Sequence, residues 1–291
     1  MERDDIFGEK KVMFGDLLTL DSPVRKYEEF KDKSKLLKQL NSYLEEYNIG
    51  SSNKMNLVFF EDAVLHTLRI CRTLRQPRGN IMLIGVGGSG KQSLIRLSAY
   101  MYEMEFRQIE ITKDYGSRLF QEFVKGLMFD AGIDGKKLAF TMTDSQILEE
   151  SFLEDVNNVL NTGEIPNLMQ EEDKGKIISD VRPVVIEMKK VDTVDTIEQV
   201  FTQRVRENLH ICLCMSPVGD DLRIRCRQFP SLVNCCTLDW FDKWPREALL
   251  YVSSEFLKEL TLPSQEMRDN LSEMCMLIHT TVDEASQRYY D

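Results

Sequence analysis

The 291-residue sequence lacks any apolar run near the roughly 18 to 20 residues needed to cross a bilayer, so no membrane partner is expected. Histidine is scarce, with three residues far apart, and the seven cysteines form no Cys-x-x-Cys pair. A zinc site is therefore not expected, and buried reduced thiols are the simplest interpretation of the cysteines. The opening residues also lack the apolar run of a secretory signal. These absences together predict a reducing intracellular compartment.

Positive charge is also in deficit, because 37 Lys and Arg residues face 48 Asp and Glu residues and the net charge is -11. Nucleic acid is not expected as the main partner, since its phosphate backbone would be repelled by the average field. The hydrophobic fraction of 42% and the charged fraction of 29% are ordinary for a soluble globular protein. The length predicts one large domain or two modest ones.

Strand and helix patterns alternate through the middle of the chain. A short apolar run at 80–84 has the composition of a buried parallel strand. Further strands are predicted at 106–111, 138–143, 210–215 and 232–238. Helices are predicted between them, including one over 145–160. This alternation predicts an α/β fold with a five-stranded parallel sheet and helices on both faces.

The pattern also predicts three parts. Residues 1–55 are polar and charged and are interpreted as a lead-in or linker, and residues 56–243 form the large α/β domain. Within that domain, the segment 166–208 is predicted to be surface loop, including a charged turn at 170–176, plus one helix at 193–207. Residues 244–291 are all helical in pattern and are expected to be the start of an incomplete helical subdomain.

The first strand leads into a glycine-rich loop that opens a helix. Glycines allow the backbone N–H groups to form a concave nest, and the helix N-terminus adds partial positive charge. A lysine at the end of such a loop neutralises the outer phosphates of a nucleotide. The sequence therefore predicts a phosphate-binding loop, with a plain glycine-rich turn as the alternative. Its residues are Gly85, Val86, Gly87, Gly88, Ser89, Gly90 and Lys91.

The position after the lysine departs from the usual pattern. Gln92 stands where Ser or Thr would complete the coordination shell of magnesium. An amide oxygen is a weaker substitute, and the hydroxyl of Ser93 lies about 100° further around the helix. We expect nucleotide binding by residues 85–93 with weakened dependence on metal.

A second departure follows the third strand. Asp144 stands at the strand end, where it is expected to hold magnesium directly or through water, and the alternative is a helix N-cap. The usual catalytic carboxylate next to it is replaced by Ser145, which removes help worth about 10²–10⁴ in rate. Glu149 and Glu150 are weak substitutes one turn further on. No residue is therefore assigned as catalytic.

Other candidates complete the predicted site. Ser216 ends the fourth strand and either senses the outermost phosphate or simply ends the strand. A cluster of arginines either reaches the site of a neighbouring subunit or forms a solvated cationic surface; it comprises Arg223, Arg225 and Arg227. An apolar segment that precedes the helix leading into the first strand is predicted to contact adenine, through Leu57, Val58 and Phe59.

Several segments in order resemble one family, the fourth AAA+ module of axonemal dynein heavy chains. They are LRQPRGN at 74–80, GVGGSGKQSL at 85–94, FLEDVNN at 152–158, NTGEIPN at 161–167, RVRENLH at 204–210, MSPVG at 215–219, FPSLVNCC at 229–236 and DWF at 239–241. The resemblance runs from about residue 14 to the end of the sequence. It identifies the predicted fold as that of an AAA+ P-loop NTPase.

The resemblance implies a longer heavy chain with six AAA+ modules in a ring, of which this chain is a piece. The first module of such a ring does most of the hydrolysis, the fourth is regulatory, and the microtubule-binding stalk follows it. Implied partners are the neighbouring modules, the dynein complex and microtubules, in the cytoskeleton of a ciliary axoneme. The nucleotide would be ADP or ATP. Gln92 and Ser145 are typical of this module in axonemal proteins.

The sequence therefore predicts a regulatory, nucleotide-binding module of a ciliary motor with slow or absent hydrolysis. One alternative is an active ATPase that uses Glu149 or Glu150. A phosphotransferase is a second alternative, although no lid or acceptor pocket is recognisable in the sequence. A purely structural module that binds no nucleotide is a third.

Overall fold

The computed structural model describes residues 12–19, 25–258 and 260–290, without the side chains at 287 and 290. Within the lead-in predicted at 1–55, residues 1–11 and 20–24 lie outside the described residues. The chain divides into two compact units. The first consists of Met1–Met55 and Leu65–Phe241, and the second of Asn56–Val64 and Asp242–Asp291. The three-part division predicted from the sequence remains a proposal.

The first unit contains a five-stranded sheet in the order β4-β5-β6-β3-β7, and every neighbouring pair is parallel. The predicted parallel sheet is therefore confirmed. Its strands are β3 (Ile81–Ile84), β4 (Glu105–Gln108), β5 (Leu138–Thr143), β6 (Leu209–Met215) and β7 (Thr237–Trp240). A separate antiparallel pair precedes it, formed by β1 (Phe14–Gly15) and β2 (Glu28–Glu29).

The first unit contains helices α1 to α9. The first turn of α2 lies in Asn56–Val64, which belongs to the second unit. Their bounds are α1 (Lys33–Gly50), α2 (Glu61–Arg75), α3 (Lys91–Met101), α4 (Ser117–Gly132), α5 (Glu150–Asn161), α6 (Glu171–Glu187), α7 (Val194–Asn208), α8 (Asp221–Gln228) and α9 (Ser231–Asn234). The second unit contains α10 (Arg246–Leu257) and α11 (Gln265–Tyr290).

The alternation of side chains along the central strands gives the sheet two buried faces. On one face, Met82 and Ile84 of β3 join a core cluster with residues of α4, α5, α6 and α7. Ile81 and Leu83, which alternate with them, are also fully buried. Helix α3 contacts β5 and β6 but contributes nothing to that cluster, so it covers the second face. The prediction of helices on both faces is confirmed.

The segment predicted to be mostly loop contains an additional helix, so this prediction is wrong. Gln170 and Asp173 form a reciprocal capping box at the start of α6. The acidic side chains in its first turn interact favourably with the positive end of the helix dipole and so stabilise the helix. Ile177, Val181 and Val185 recur every four residues and are buried. The charges at 170–176 therefore mark a helix N-terminus and not a surface turn.

Further element boundaries differ from the predictions. The second strand was predicted at 106–111, but it is Glu105–Gln108. The fifth strand was predicted at 232–238, but Ser231–Asn234 is a helical turn and the strand is Thr237–Trp240. A short apolar run fits either element, and Pro230 stands before the turn, where it favours helix. The helix predicted at 145–160 begins at Glu150, after a 3-10 turn over Asp144–Gln146.

A buried carboxylate connects the amino-terminal segment to the sheet unit. Asp16 accepts a hydrogen bond from the Tyr102 hydroxyl and lies 3.1 Å from Nε of Arg75. Its side chain is almost completely buried. A carboxylate buried this deeply requires partners, so this contact fixes the segment that contains β1.

The second unit is held together by helix packing between α10 and α11. Lys243 and Asp283 form an ion pair at 2.6 Å, and the rings of Phe60 and Trp244 meet edge to face at 5.0 Å. No helix in the part of the chain that the structure describes combines the length and apolar character of a membrane span.

We predict that His210 makes stability depend on pH. Its Nδ1–H donates to the Gly79 carbonyl at 2.7 Å, and burial lowers the pKa of the imidazole. The unfolded ring therefore binds a proton more readily, so stability is complete above about pH 6.5 and falls as pH decreases below it. Chemical denaturation of His210→Gln should show a smaller loss of unfolding free energy between about pH 7.5 and pH 5.5 than the parent.

The exposed His279 provides the matched control, because His279→Gln should follow the parent at every pH. Equal pH dependence for the parent and His210→Gln would contradict the assignment of this loss to the buried ring.

Candidate functional site

The loop between β3 and α3 forms an open, glycine-rich cradle. Gly88 and Gly90 have positive φ angles of 77° and 84°, which favour glycine because a side chain is strained there. Apart from each glycine itself and its neighbours along the chain, no described atom lies within 4 Å of a Cβ placed at Gly87, Gly88 or Gly90. The loop therefore has the conformation and the free space that a bound phosphate requires.

Gly85 is required for a different reason, which is close packing. Its N–H donates to the Met215 carbonyl at 3.0 Å and so continues the ladder between β3 and β6. A Cβ at this position would lie 2.6 Å from Cβ of Phe241. This contact fixes the start of the loop against the residue that follows β7.

Lys91 is folded onto the loop that it follows. Its Nζ donates to the carbonyls of Gly85 and Val86 at 2.7 and 2.8 Å and to Oγ of Ser89 at 3.1 Å. Burial lowers the pKa of the ammonium, while nearby Asp144 opposes that shift. The cation is thus held at the cradle by neutral acceptors, which a phosphate could replace.

The loop lines a cavity of about 480 Å³ at the carboxyl edge of the sheet. Residues after β5 and β6 complete its wall, which is where parallel α/β sheets bind ligands. The lining residues are Gly85, Gly87, Gly88, Ser89, Gly90, Lys91, Gln92, Ser93, Thr143, Asp144, Ser145, Cys214, Met215 and Ser216. The structure therefore brings the predicted loop, Asp144 and Ser216 together, with Val86 exposed beside them.

Both oxygens of Asp144 accept hydrogen bonds. Oδ2 accepts from the backbone N–H of Ser216, and Oδ1 accepts from the Arg225 guanidinium at 2.9 Å. Burial raises the pKa of this carboxyl, and the Ser216 N–H, Arg225 and Lys91 oppose the shift. Asp144 is thus the point at which the loops after β5 and β6 are joined.

Asp144 does not act as the helix N-cap that was the alternative prediction. Thr143 takes that position, because its side chain and backbone exchange hydrogen bonds with Gln146 in a capping box. The Asp144 side chain instead lines the cavity, where it bonds the Ser216 N–H and Arg225.

The residue beside Asp144 has a hydroxyl and no carboxylate. Ser145 is exposed, and its hydroxyl lies 3.0 Å from that of Thr143. Glu149 accepts a hydrogen bond from Ser117 at 2.7 Å, and Glu150 lies 3.5 Å from Nε of Arg225. Neither glutamate lines the cavity.

Few groups next to the cavity could coordinate magnesium, and two of the side chains already have hydrogen-bond partners. The amide oxygen of Gln92 accepts from Gln108 at 3.3 Å, Ser93 supplies a half-buried hydroxyl, and both Asp144 oxygens are already bonded. In the described residues, no group of three or more His, Cys, Asp or Glu is placed to hold a metal. The assignment of Asp144 as a magnesium ligand stays a prediction.

The three predicted arginines differ in their surroundings. Arg223 is 79% exposed and lies 3.7 Å from Asp220, and Arg227 is also exposed. Arg225 is only 12% exposed and bonds Asp144 of its own chain. A contact of these arginines with another module stays a prediction. The bond between Arg225 and Asp144 was not predicted from the sequence.

The predicted adenine contacts belong to the second unit. Phe59 is buried, whereas Leu57 and Val58 are half-buried. Their role in binding adenine stays a prediction.

We predict that Gly85→Ala destabilises the chain by about 1–3 kcal/mol, because the new methyl group would overlap the Phe241 side chain. Denaturant unfolding without nucleotide measures this. Gly87→Ala is the matched control and should change the free energy by less than about 0.5 kcal/mol, since it has open space. Equal loss in both variants would contradict the importance of the close packing.

Comparison with known proteins agrees with this geometry. The family described as P-loop containing dynein motor region D4 matches residues 55–291. Dynein axonemal heavy chain 6 of Homo sapiens is 43% identical over 290 residues, which is 99% of this chain and 7% of that protein. Dynein axonemal heavy chain 1 of Homo sapiens is 44% identical over 280 residues, covering 96% of this chain and 7% of that protein.

A relative from Chlamydomonas reinhardtii is the dynein-1-beta heavy chain of the flagellar inner arm I1 complex. It is 42% identical over 272 residues, which is 93% of this chain and 6% of that protein. The chain thus spans 6% to 7% of the length of these relatives. With the parallel sheet and phosphate loop, the matches establish an AAA+ P-loop NTPase fold, and the chain belongs to the dynein motor region D4 family.

Proposed function

We propose that this chain binds ADP or ATP and acts as a regulatory module of an axonemal dynein heavy chain, the fourth AAA+ module of its ring. The observation that carries the proposal is the open, glycine-rich cradle, with Lys91 at its end and with Asp144 and Ser216 in the same cavity. A diphosphate fits this set because N–H groups and an ammonium surround one space. Ser216 is suited to sensing the outermost phosphate.

Hydrolysis at this site is slow or absent. The residue beside Asp144 is a serine, which cannot deprotonate an attacking water as a carboxylate does. The two candidate substitutes have other partners, because Glu149 accepts a hydrogen bond from Ser117 and Glu150 forms an ion pair with Arg225 at 3.5 Å. A site that retains a nucleotide without consuming it is suited to regulation, since occupancy itself can bias a conformation.

The wider role is proposed from the relatives. Their names place them in axonemes, an inner arm and a flagellum, so we propose a cytoskeletal location in a cilium. Partners would be the adjacent modules of the same heavy chain and, through the parent protein, the dynein complex and microtubules. Arg223 and Arg227, which project into solvent, are available for a neighbouring module.

We predict that Lys91→Ala weakens the binding of fluorescent ADP by about 10-fold to 150-fold, since a charged hydrogen bond contributes about 1.5–3 kcal/mol. Fluorescence titration measures the dissociation constant, and thermal unfolding checks that the variant folds. Lys38→Ala, on an exposed helix surface, is the matched control and should bind as the parent does. Absence of ADP binding by the parent would favour a purely structural module.

We also predict that a single turnover of bound ATP is slow and that Glu149→Gln and Glu150→Gln leave its rate unchanged. Rapid mixing with excess protein and quenched sampling of ADP measures this rate. Loss of a general base would reduce the rate by about 10²–10⁴. Fast turnover in the parent that either substitution abolishes would instead identify an active ATPase.

A further inference from the structure

Arg225 bonds Asp144 but is not among the residues that line the cavity. Its guanidinium donates to Oδ1 of Asp144 at 2.9 Å, and its Nε lies 3.5 Å from Glu150. The helix that carries it, α8, also carries two arginines that face solvent. One cation of the three has therefore been buried beside the carboxylate at the end of β5.

This burial has a cost that requires an explanation. Arg225 is 12% exposed, and its Nε has no hydrogen-bond acceptor within the described residues. A charged group removed from water is destabilising unless it is paired. The paired group is Asp144, which itself would be unfavourable next to nucleotide phosphates if its charge were not balanced.

We propose that Arg225 is a positioning residue that supplies, within its own chain, the positive charge that a divalent cation would otherwise bring to Asp144, so that nucleotide binding depends little on magnesium. The inference rests on the proposed nucleotide site and concerns how that site is balanced electrically. Gln92 supports the same inference, because it replaces the Ser or Thr hydroxyl that would otherwise bind the metal.

The geometry favours the guanidinium over a metal ion at this carboxylate. Both Asp144 oxygens are occupied, one by the Ser216 N–H and the other by Arg225. Each oxygen can accept more than one partner, but a metal that bound Asp144 directly would lie close to the Arg225 cation, and like charges repel. If Arg225 were displaced from Asp144, its charge would be paired only with Glu150. The distance to Glu150 is 3.5 Å, whereas the bond to Asp144 is 2.9 Å.

Arg225 is also poorly placed to serve a neighbouring module. To leave the chain it would have to give up the Asp144 bond, whereas Arg223 is 79% exposed and Arg227 is exposed without any such bond. Arginine suits the buried role because its guanidinium remains charged at all ordinary pH values and has several donors.

The test compares ADP dissociation constants in excess magnesium and in excess EDTA, by titration of the full 291-residue chain with fluorescent ADP. For the parent, the two constants should differ by less than about threefold, under about 0.7 kcal/mol. For Arg225→Gln, removal of magnesium should weaken binding by about tenfold or more, because Asp144 is then unbalanced and open to metal. Arg225→Lys, which retains the charge, should restore most of the parent behaviour.

Arg227→Gln is the matched control on the same helix. Its ratio of the ADP dissociation constant in EDTA to that in magnesium should equal the ratio of the parent. A parent whose binding weakens about tenfold or more in EDTA overturns the inference whether or not any variant folds. The inference is also overturned if folded Arg225→Gln has the same ratio of ADP dissociation constants as the parent. Absence of ADP binding under both conditions overturns this inference together with the nucleotide-binding proposal, whereas strong but magnesium-dependent binding overturns this inference alone.

Discussion

The candidate site depends on the parallel pairing of β3, β6 and β5 in one register. Because these strands end at the same edge of the sheet, the loop after β3 meets Asp144 after β5 and Ser216 after β6. The bond from Gly85 to Met215 extends the pairing into the first residue of the loop. The first residue of the cradle therefore extends the sheet, and the side chains of Lys91 and Ser89 hold the residues that follow.

The three central strands β3, β5 and β6 could be predicted because they are short, mostly apolar runs that are buried throughout. Strand β5 begins and ends as predicted, since Leu138 opens a continuous buried run and Asp144 ends it. The prediction was wrong at the edge strand, where Leu232 and Val233 suit a helical turn as well as a strand. Helix α6 was missed because its acidic first turn has the composition of a loop, and a capping box depends on pairs that composition does not reveal.

The site was predictable where its chemistry is local in sequence. The loop, the missing hydroxyl at Gln92 and the missing carboxylate at Ser145 follow from residue order alone. The Arg225 bond does not, because its partner is 81 residues away and spacing along a helix does not say which arginine turns inward. The sequence identified a cluster of three cations, and only the packed structure distinguishes the buried one from the two in solvent.

The buried Asp16 contact gives the amino-terminal segment a mechanical connection to the nucleotide loop. Asp16 bonds Tyr102, the residue immediately after α3, and the other end of that helix begins at Lys91. An 11-residue helix is a stiff rod of about 16 Å. A displacement of Asp16 would thus move α3 and, with it, Lys91 at the candidate phosphate loop.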